Sequence, residues 1–253
     1  MIHVKTERDL DKMRQAGRIV AEVLARIGER VAPGVTTGEL NALAEEIIRK
    51  RGAIPSFLGY PPGSKHPFPA TICASVNEEL VHGIPGPRVL REGDILSVDV
   101  GAIYQGYHGD AAMTFPVGQI DAEVQRLLDV TKGALEAGIA AARAGQRSGD
   151  ISAAIQEYVE TRGFNVVRDY TGHGIGRQMH EEPQVPNYGQ RGHGVQLRPG
   201  MTIALEPMVL SADYRVRVLD DHWTVVSVDG RVNAHFEHTI AIRDGEAEIL
   251  TRL

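Results

Sequence analysis

Cysteine is nearly missing from this chain of 253 residues: Cys73 stands alone, so no intrachain disulfide can form and no cysteine-based zinc spacing exists. No apolar run approaches the length of a membrane span, and the opening MIHVKTERDL lacks the apolar core of a signal peptide. The cytoplasm is therefore the expected compartment. Positive charge is not in excess either; the formal net charge of −6 argues against direct nucleic-acid or membrane binding. No G-x-S-x-G occurs, which removes the nucleophile elbow of a Ser-His-Asp hydrolase. GHGIG at 172–176 lacks the strand–turn–helix context and glycine spacing of a phosphate loop. What the chain has is 42% hydrophobic and 24% charged residues, enough to build an ordinary globular core.

Hydrophobic spacing divides the chain into helix pairs followed by strands. Thr6 with Asp9 makes a helix-opening box, and Leu10, Met13, Val20, Leu24, Ile27 and Val31 recur at helical spacing until Pro33-Gly34. Thr36 with Glu39 opens a second helix that ends at Arg51-Gly52. PPGSKHPFP, residues 61–69, is a surface loop because its prolines lack backbone donors. A hairpin is expected at 94–115, then helices at about 121–143 and 149–162. The glycine-rich TGHGIGRQMHEEP (171–183) precedes one strand, MTIALEPMVL (201–210), and a final pair around WTVVSV and NAHFEHTIAI. This order predicts an α+β fold.

The order also repeats. PGVTTGELNALAEEIIRKRG (33–52) matches AGQRSGDISAAIQEYVETRG (144–163) in register, with Gly34 over Gly145 and Gly52 over Gly163. LREGDILSVDV (90–100) matches LRPGMTIALEP (197–207) and lays Asp99 over Glu206. YHGDAAMT (107–114) lies over AHFEHTIA (234–241), which puts His108 over His235 and Asp110 over Glu237. Acidic residues over acidic residues at two separate places favour duplication. The expected organisation is one unit, 1–253, in halves of approximately 1–115 and 121–253.

In VDVGAIYQGYHGDAAMTF (98–115), a turn at Gln105-Gly106 sets Tyr104 against Tyr107 and Gly101 against Asp110. Asp99 is then a diagonal neighbour on the same face, while Leu96, Val98 and Val100 face the core. In the second half Thr202, Ala204 and Glu206 share a face, as do His235, Glu237 and Thr239. A pseudo-twofold axis between the halves would bring Asp99, Asp110, Glu206 and Glu237 together. Unpaired, these carboxylates repel and take up protons. Two divalent cations neutralise them and move the formal charge from −6 to −2. Oxygen ligands with one or two imidazoles suit Mn, Fe, Co or Zn. His173 between its glycines, His180, and His82 in VHGIPG are the candidate imidazoles, as ligand or as donors to substrate.

HGIP at 82–85, VDVG…GYHGDAAMTF at 98–115, GHGIGRQMHEEP at 172–183, LEPM at 205–208 and FEHT at 236–239 together resemble a type I methionine aminopeptidase, nearly end to end. The resemblance implies the pita-bread fold, two pseudo-symmetric halves around a dinuclear metal centre. It implies one metal held by Asp99, Asp110 and Glu237, and another by Asp110, His173, Glu206 and Glu237. The implied reaction removes the N-terminal methionine of nascent chains and peptides with a small second residue, using a hydroxide that bridges two divalent ions. Glu206 would then shuttle the proton, and His82 and His180 would hold the substrate and stabilise charge. The implied methionine pocket is lined by Tyr60, Phe68, Cys73, Met179 and Trp223, with Cys73 a small buried hydrophobe rather than a nucleophile. Met179 stands where the family pattern has an aromatic residue, Phe57 stands near a cysteine position of some relatives, and the 61–69 loop is a few residues longer.

Two other readings compete. The proline-specific enzymes of the same fold normally carry a further N-terminal domain, for which no room is expected before Thr6. A non-catalytic binding protein on this fold would lack the ligands, and all five positions are intact. The expected enzyme is a monomer. Contact with the ribosome is compatible with nascent substrates, although no basic cluster establishes it.

Overall fold

The computed structural model describes residues 2–253. Helix α1 (Glu7–Gly28) opens on a reciprocal box, in which Asp9 N–H donates to Thr6 Oγ1 and Thr6 N–H donates to the Asp9 carboxylate. Helix α2 (Thr37–Lys50) opens in the same way on Thr36 and Glu39. Each box satisfies two amides that a helix start otherwise leaves unpaired. Helices α3 (Ala122–Ala141) and α4 (Ser148–Glu160) lie within a residue or two of the expected spans. No helix among the described residues is long and apolar enough to cross a membrane.

The first helix pair is followed by β1 (Ile54–Pro55), β2 (Ile72–Val76), β3 (Glu79–Val81), β4 (Ile95–Tyr104) and β5 (Tyr107–Pro116). The second is followed by β6 (Asn165–Val166), β7 (Thr171–Gly174), β8 (Glu181–Pro186), β9 (Thr202–Leu205) and β10 (Met208–Leu210). After these come β11 (Val216–Val218), β12 (Val225–Ser227), β13 (Asn233–His235), β14 (His238–Ala241) and β15 (Glu248–Ile249). The pairings among these strands are antiparallel.

Strand β4 takes β5 along one edge, and β2 and β1 along successive stretches of the other. The β4–β5 turn places Gln105 at φ 49° and Gly106 at φ 80°, the paired positive values whose twist matches a hairpin. The register pairs Tyr104 with Tyr107 and Gly101 with Asp110. In the second half the sheet order is β15-β14-β9-β7-β8.

The sheets built on β4 and on β9 each bury one face under a helix pair. Val20, Leu24 and Ile27 of α1 and Leu40 and Ile48 of α2 pack with Ile72, Val98 and Val100. Leu127 and Leu135 of α3 and Ile151 and Ile155 of α4 pack with Ile203, Leu205 and Ile240. Each such side chain contributes about 1.5–3 kcal/mol on burial. Helix α1 sits close on β5 at Gly109, where a Cβ would stand 2.7 Å from the Gly17 nitrogen.

The expectation of one strand over MTIALEPMVL needs correction, and so does that of an unbroken NAHFEHTIAI. The first splits into β9 and β10, the second into β13 and β14, and the pieces join different sheets. Pro207 cannot donate to a ladder, so pairing stops there. Opposite it, Phe236 N–H donates to the Pro207 carbonyl at 3.3 Å and Glu237 N–H donates to the Ala112 carbonyl at 2.9 Å. Glu206 and Glu237 therefore stand at the two places where the chain changes sheets.

Candidate metal centre

Five strands aim side chains at one buried point. Asp99 sits in mid-β4, paired with Cys73 on one side and Ala112 on the other, and Asp110 sits on β5 opposite Gly101. Glu206 follows β9 and Glu237 precedes β14, just beyond the Leu205–His238 pair. His173 of β7 lies opposite Ala204, at a bulge that breaks the register between His173 and Gly174.

His173 Nε2 is 3.5 Å from Glu206 Oε1 and 3.9 Å from Asp110 Oδ2. Asp110, His173 and Glu237 each present a ligand atom, all within 4.8 Å of one another. The other ring nitrogen, Nδ1, lies 2.9 Å from the Gly174 carbonyl oxygen. A carbonyl only accepts, so Nδ1 carries the proton and the Nε2 lone pair faces the carboxylates.

Electrostatics point the same way. Burial, then the neighbouring carboxylates, push Asp110, Glu206 and Glu237 well above the usual carboxylate range. Burial raises Asp99 to about 7. Burial, with His180 nearby, lowers His173 to about 3, which keeps its imidazole neutral. Asp99 Oδ1, Asp110 Oδ1 and both Glu237 oxygens are buried without a hydrogen-bond donor. Native structures seldom leave such atoms unpartnered, and a buried ion is one of the recognised reasons. Oxygen atoms without donors around a neutral imidazole lone pair fit divalent cations.

Beside these groups lies a cavity of about 170 Å³ that Asp99, Asp110, His173, Glu206 and Glu237 share with His82, His180, Tyr60, Phe68, Cys73, Met179 and Trp223. Phe68 meets Trp223 edge-on at 5.1 Å between centroids, and Trp223 Nε1–H donates to the His66 carbonyl at 3.1 Å. The Tyr60 hydroxyl lies 2.6 Å from His180 Nδ1. His82 sits at φ 59°, with its ring edge-on to Tyr170 and Trp223. Burial, with His180, lowers His82 to about 4, and burial lowers His180 too. Burial, followed by Asp99, Asp110 and Glu237, raises the Cys73 thiol well above its ordinary value. Met179 and Phe57, the departures seen in the sequence, both line this cavity.

All twelve residues singled out from the sequence thus converge, and Tyr170, Thr171 and His235 join them unforeseen. Tyr170 and Thr171 line the cavity. His235 is buried, with Nε2 at 3.9 Å from both Glu206 Oε2 and Glu237 Oε2. The repeat held a signal for it, since His235 overlies His108 on a face shared with Glu237. His108 is used differently: its Nδ1 pairs with Ser56 Oγ at 2.9 Å.

Two lobes of helices and antiparallel strands, closing on buried carboxylates and a lone-pair imidazole beside an apolar slot, define a metal-dependent hydrolase of the pita-bread type. Residues 11–244 match the model of metallopeptidase family M24, and the chain belongs to that family. It is 53% identical over 253 residues to methionine aminopeptidase 1 of Bacillus subtilis, covering 100% of both chains. The crystal structure of methionine aminopeptidase from Thermotoga maritima is similar at a TM-score of 0.97 and 50% identity, with 100% of both chains covered. Xaa-Pro dipeptidase from Bacillus anthracis has a TM-score of 0.79 at 23% identity, over 99% of this chain and 62% of that one. That last likeness shows the fold alone.

Proposed function

We propose that this chain is a metalloaminopeptidase that removes the N-terminal methionine from peptides and nascent proteins with a small second residue. The observation that carries the reading is the set of donorless buried carboxylate oxygens beside a cavity whose other wall is Tyr60, Phe68, Met179 and Trp223. Similarity to methionine aminopeptidases over the full length supports it.

In this reading Asp99, Asp110 and Glu237 hold one cation, and Asp110, His173, Glu206 and Glu237 hold another. Divalent ions at such a centre lower the pKa of water and polarise the scissile carbonyl. The chain's own residues do the rest. Glu206 accepts the proton from the nucleophile and passes it to the leaving amine. The Tyr60 hydroxyl donates to His180 Nδ1, which leaves His180 Nε2–H as a donor toward the substrate. His82 and His180, both neutral, hold the scissile amide and the oxygen that gains charge, a contribution typically of several kcal/mol. Tyr60, Phe68, Cys73, Met179 and Trp223 receive the unbranched thioether, which adapts well to an apolar aromatic slot. The slot takes one side chain with its α-amine beside Asp99, so only the first residue is cut.

The chain acts as one catalytic unit over 1–253, a monomer in the cytoplasm. Its substrates are chains emerging from the ribosome, and ribosome contact belongs to this reading. The test pairs elemental analysis of protein purified without added metal with cleavage of Met-Xaa-Ser peptides. Alanine, glycine or serine as second residue is expected to be accepted, bulky residues to be refused, and a chelator to stop turnover. Normal cleavage by chelated protein overturns the mechanism; preference for Xaa-Pro substrates moves the reading to the proline-specific branch.

A further inference from the structure

His235 closes β13 two residues before Glu237, is 1% exposed, and its Nε2 has no hydrogen-bond partner. A buried ring nitrogen without a partner costs as much as a lost hydrogen bond, so its position calls for a use. Two uses are open: ligand or donor. The compact set of ligand atoms comprises Asp110, His173 and Glu237, and His235 is not in it. It lies instead between the two glutamates, 3.9 Å from Oε2 of each; the reading above gives Glu237 to both cations and Glu206 to one, so Glu206 is the one with an oxygen to spare. Glu206 Oε1 faces His173 Nε2 at 3.5 Å, and Glu206 Oε2 faces His235 Nε2 at 3.9 Å. One carboxylate is bracketed by two imidazoles, one to each oxygen.

We propose that His235 is the positioning residue for Glu206, its Nε2–H donating to Oε2 while Oε1 stays turned toward the ions. This deepens the functional reading above and rests on it. The 3.9 Å gap exceeds a hydrogen bond and closes by rotation about the terminal torsion of Glu206, which is broad and soft. The donor itself is fixed independently of that glutamate. His235 N–H donates to Thr114 Oγ1 at 2.9 Å, and the Thr114 hydroxyl donates to the His235 carbonyl at 2.8 Å. The residue is also paired with Met208 in the β10–β13 ladder. A fixed donor on one oxygen restrains a proton-shuttling carboxylate to one plane without neutralising it.

The test uses Co²⁺-loaded enzyme, Met-Ala-Ser as substrate, and three variants. His235→Phe keeps a flat ring and removes the donor, His235→Leu is a smaller apolar control, and His235→Gln restores a side-chain N–H of similar reach. The apolar variants are expected to lose kcat by about 10–100-fold. Their metal content and Co²⁺ absorption spectrum should stay as in wild type, with KM little changed. His235→Gln should recover kcat to within about threefold of wild type, as a conservative rescue requires. Wild-type kcat in both apolar variants, beside an active wild type, overturns the proposal alone. Loss of a cation or an altered Co²⁺ spectrum overturns it by making His235 a ligand. An idle wild type overturns the functional reading and this proposal together.

Discussion

Thr239 and Asp110 hold each other across the centre. Asp110 N–H donates to Thr239 Oγ1 at 3.1 Å, and the Thr239 hydroxyl donates back to the Asp110 carbonyl at 2.8 Å. Thr114 makes the same reciprocal pair with the backbone of His235. Strands from the two halves of the chain are thereby tied hydroxyl to backbone, and the carboxylate-bearing segments are located by the protein itself.

Thr239→Val tests that tie. The substitution keeps the shape and leaves two buried backbone groups of Asp110 without this partner, at about 1–3 kcal/mol for each group left unsatisfied. A fall in the thermal midpoint with weaker metal retention on dialysis is expected. An unchanged midpoint would show that other groups satisfy Asp110.

Asp110→Ala removes an oxygen donor that the proposed assignment gives to both cations. Turnover of Met-Ala-Ser should fall by roughly 10²–10³-fold or more, the scale of losing one preorganised stabilising group. Elemental analysis should show less bound metal. Full activity with unchanged metal content would sink the ligand assignment.

The metal-free protein should be sensitive to pH in a definite direction. Burial raises Asp99 from 3.8 to about 7, so the folded chain holds a proton that the unfolded chain has released. A raised value gives a contribution fully present below the unfolded pKa and lost as pH rises through the folded one. Asp110, Glu206 and Glu237 are displaced in the same sense. Chelated protein should therefore lose thermal stability between about pH 4 and about pH 7, and Asp99→Asn should flatten part of that slope. Metal uptake should release protons, measurable by calorimetry in buffers of different ionisation enthalpy. A chelated wild type with no slope over this range contradicts the account.

Gly109→Ala tests the seat of α1 on β5. The new methyl would lie 2.7 Å from the Gly17 nitrogen and 2.8 Å from the Ala16 carbonyl carbon, both backbone atoms that cannot swing aside. Overpacking of this kind costs about 1–3 kcal/mol. The denaturant midpoint should fall accordingly, and a variant as stable as wild type would mean that the helix can retreat.

Local chemistry was the legible part of the sequence. Capping boxes at Thr6 and Thr36 and the Gln105-Gly106 turn act over four residues, so helix starts and the Asp110 register could be read directly. The sheet changes at Glu206 and Glu237 could not, because alternation of side chains continues through both runs and only Pro207 hints at a break. The slot was least legible from pattern: Tyr60 and Trp223 are far apart in the chain, and no periodicity joins them. Family resemblance, rather than spacing, grouped those residues. His235 shows the limit of the repeat, which predicts where an imidazole stands but not whether it meets Ser56, as His108 does, or Glu206.

Asp99 stands in mid-strand with a ladder on each side, and Asp110 in mid-strand between one ladder and the Thr239 hydroxyl, whereas Glu206 and Glu237 stand at joints where pairing is interrupted. Half of the centre is stiff and half can yield. Exchange of a smaller cation for a larger one should therefore be absorbed by the two glutamates, with the aspartates scarcely displaced. A cage built this way tolerates several ionic radii, so cellular supply rather than fit would decide which element it carries.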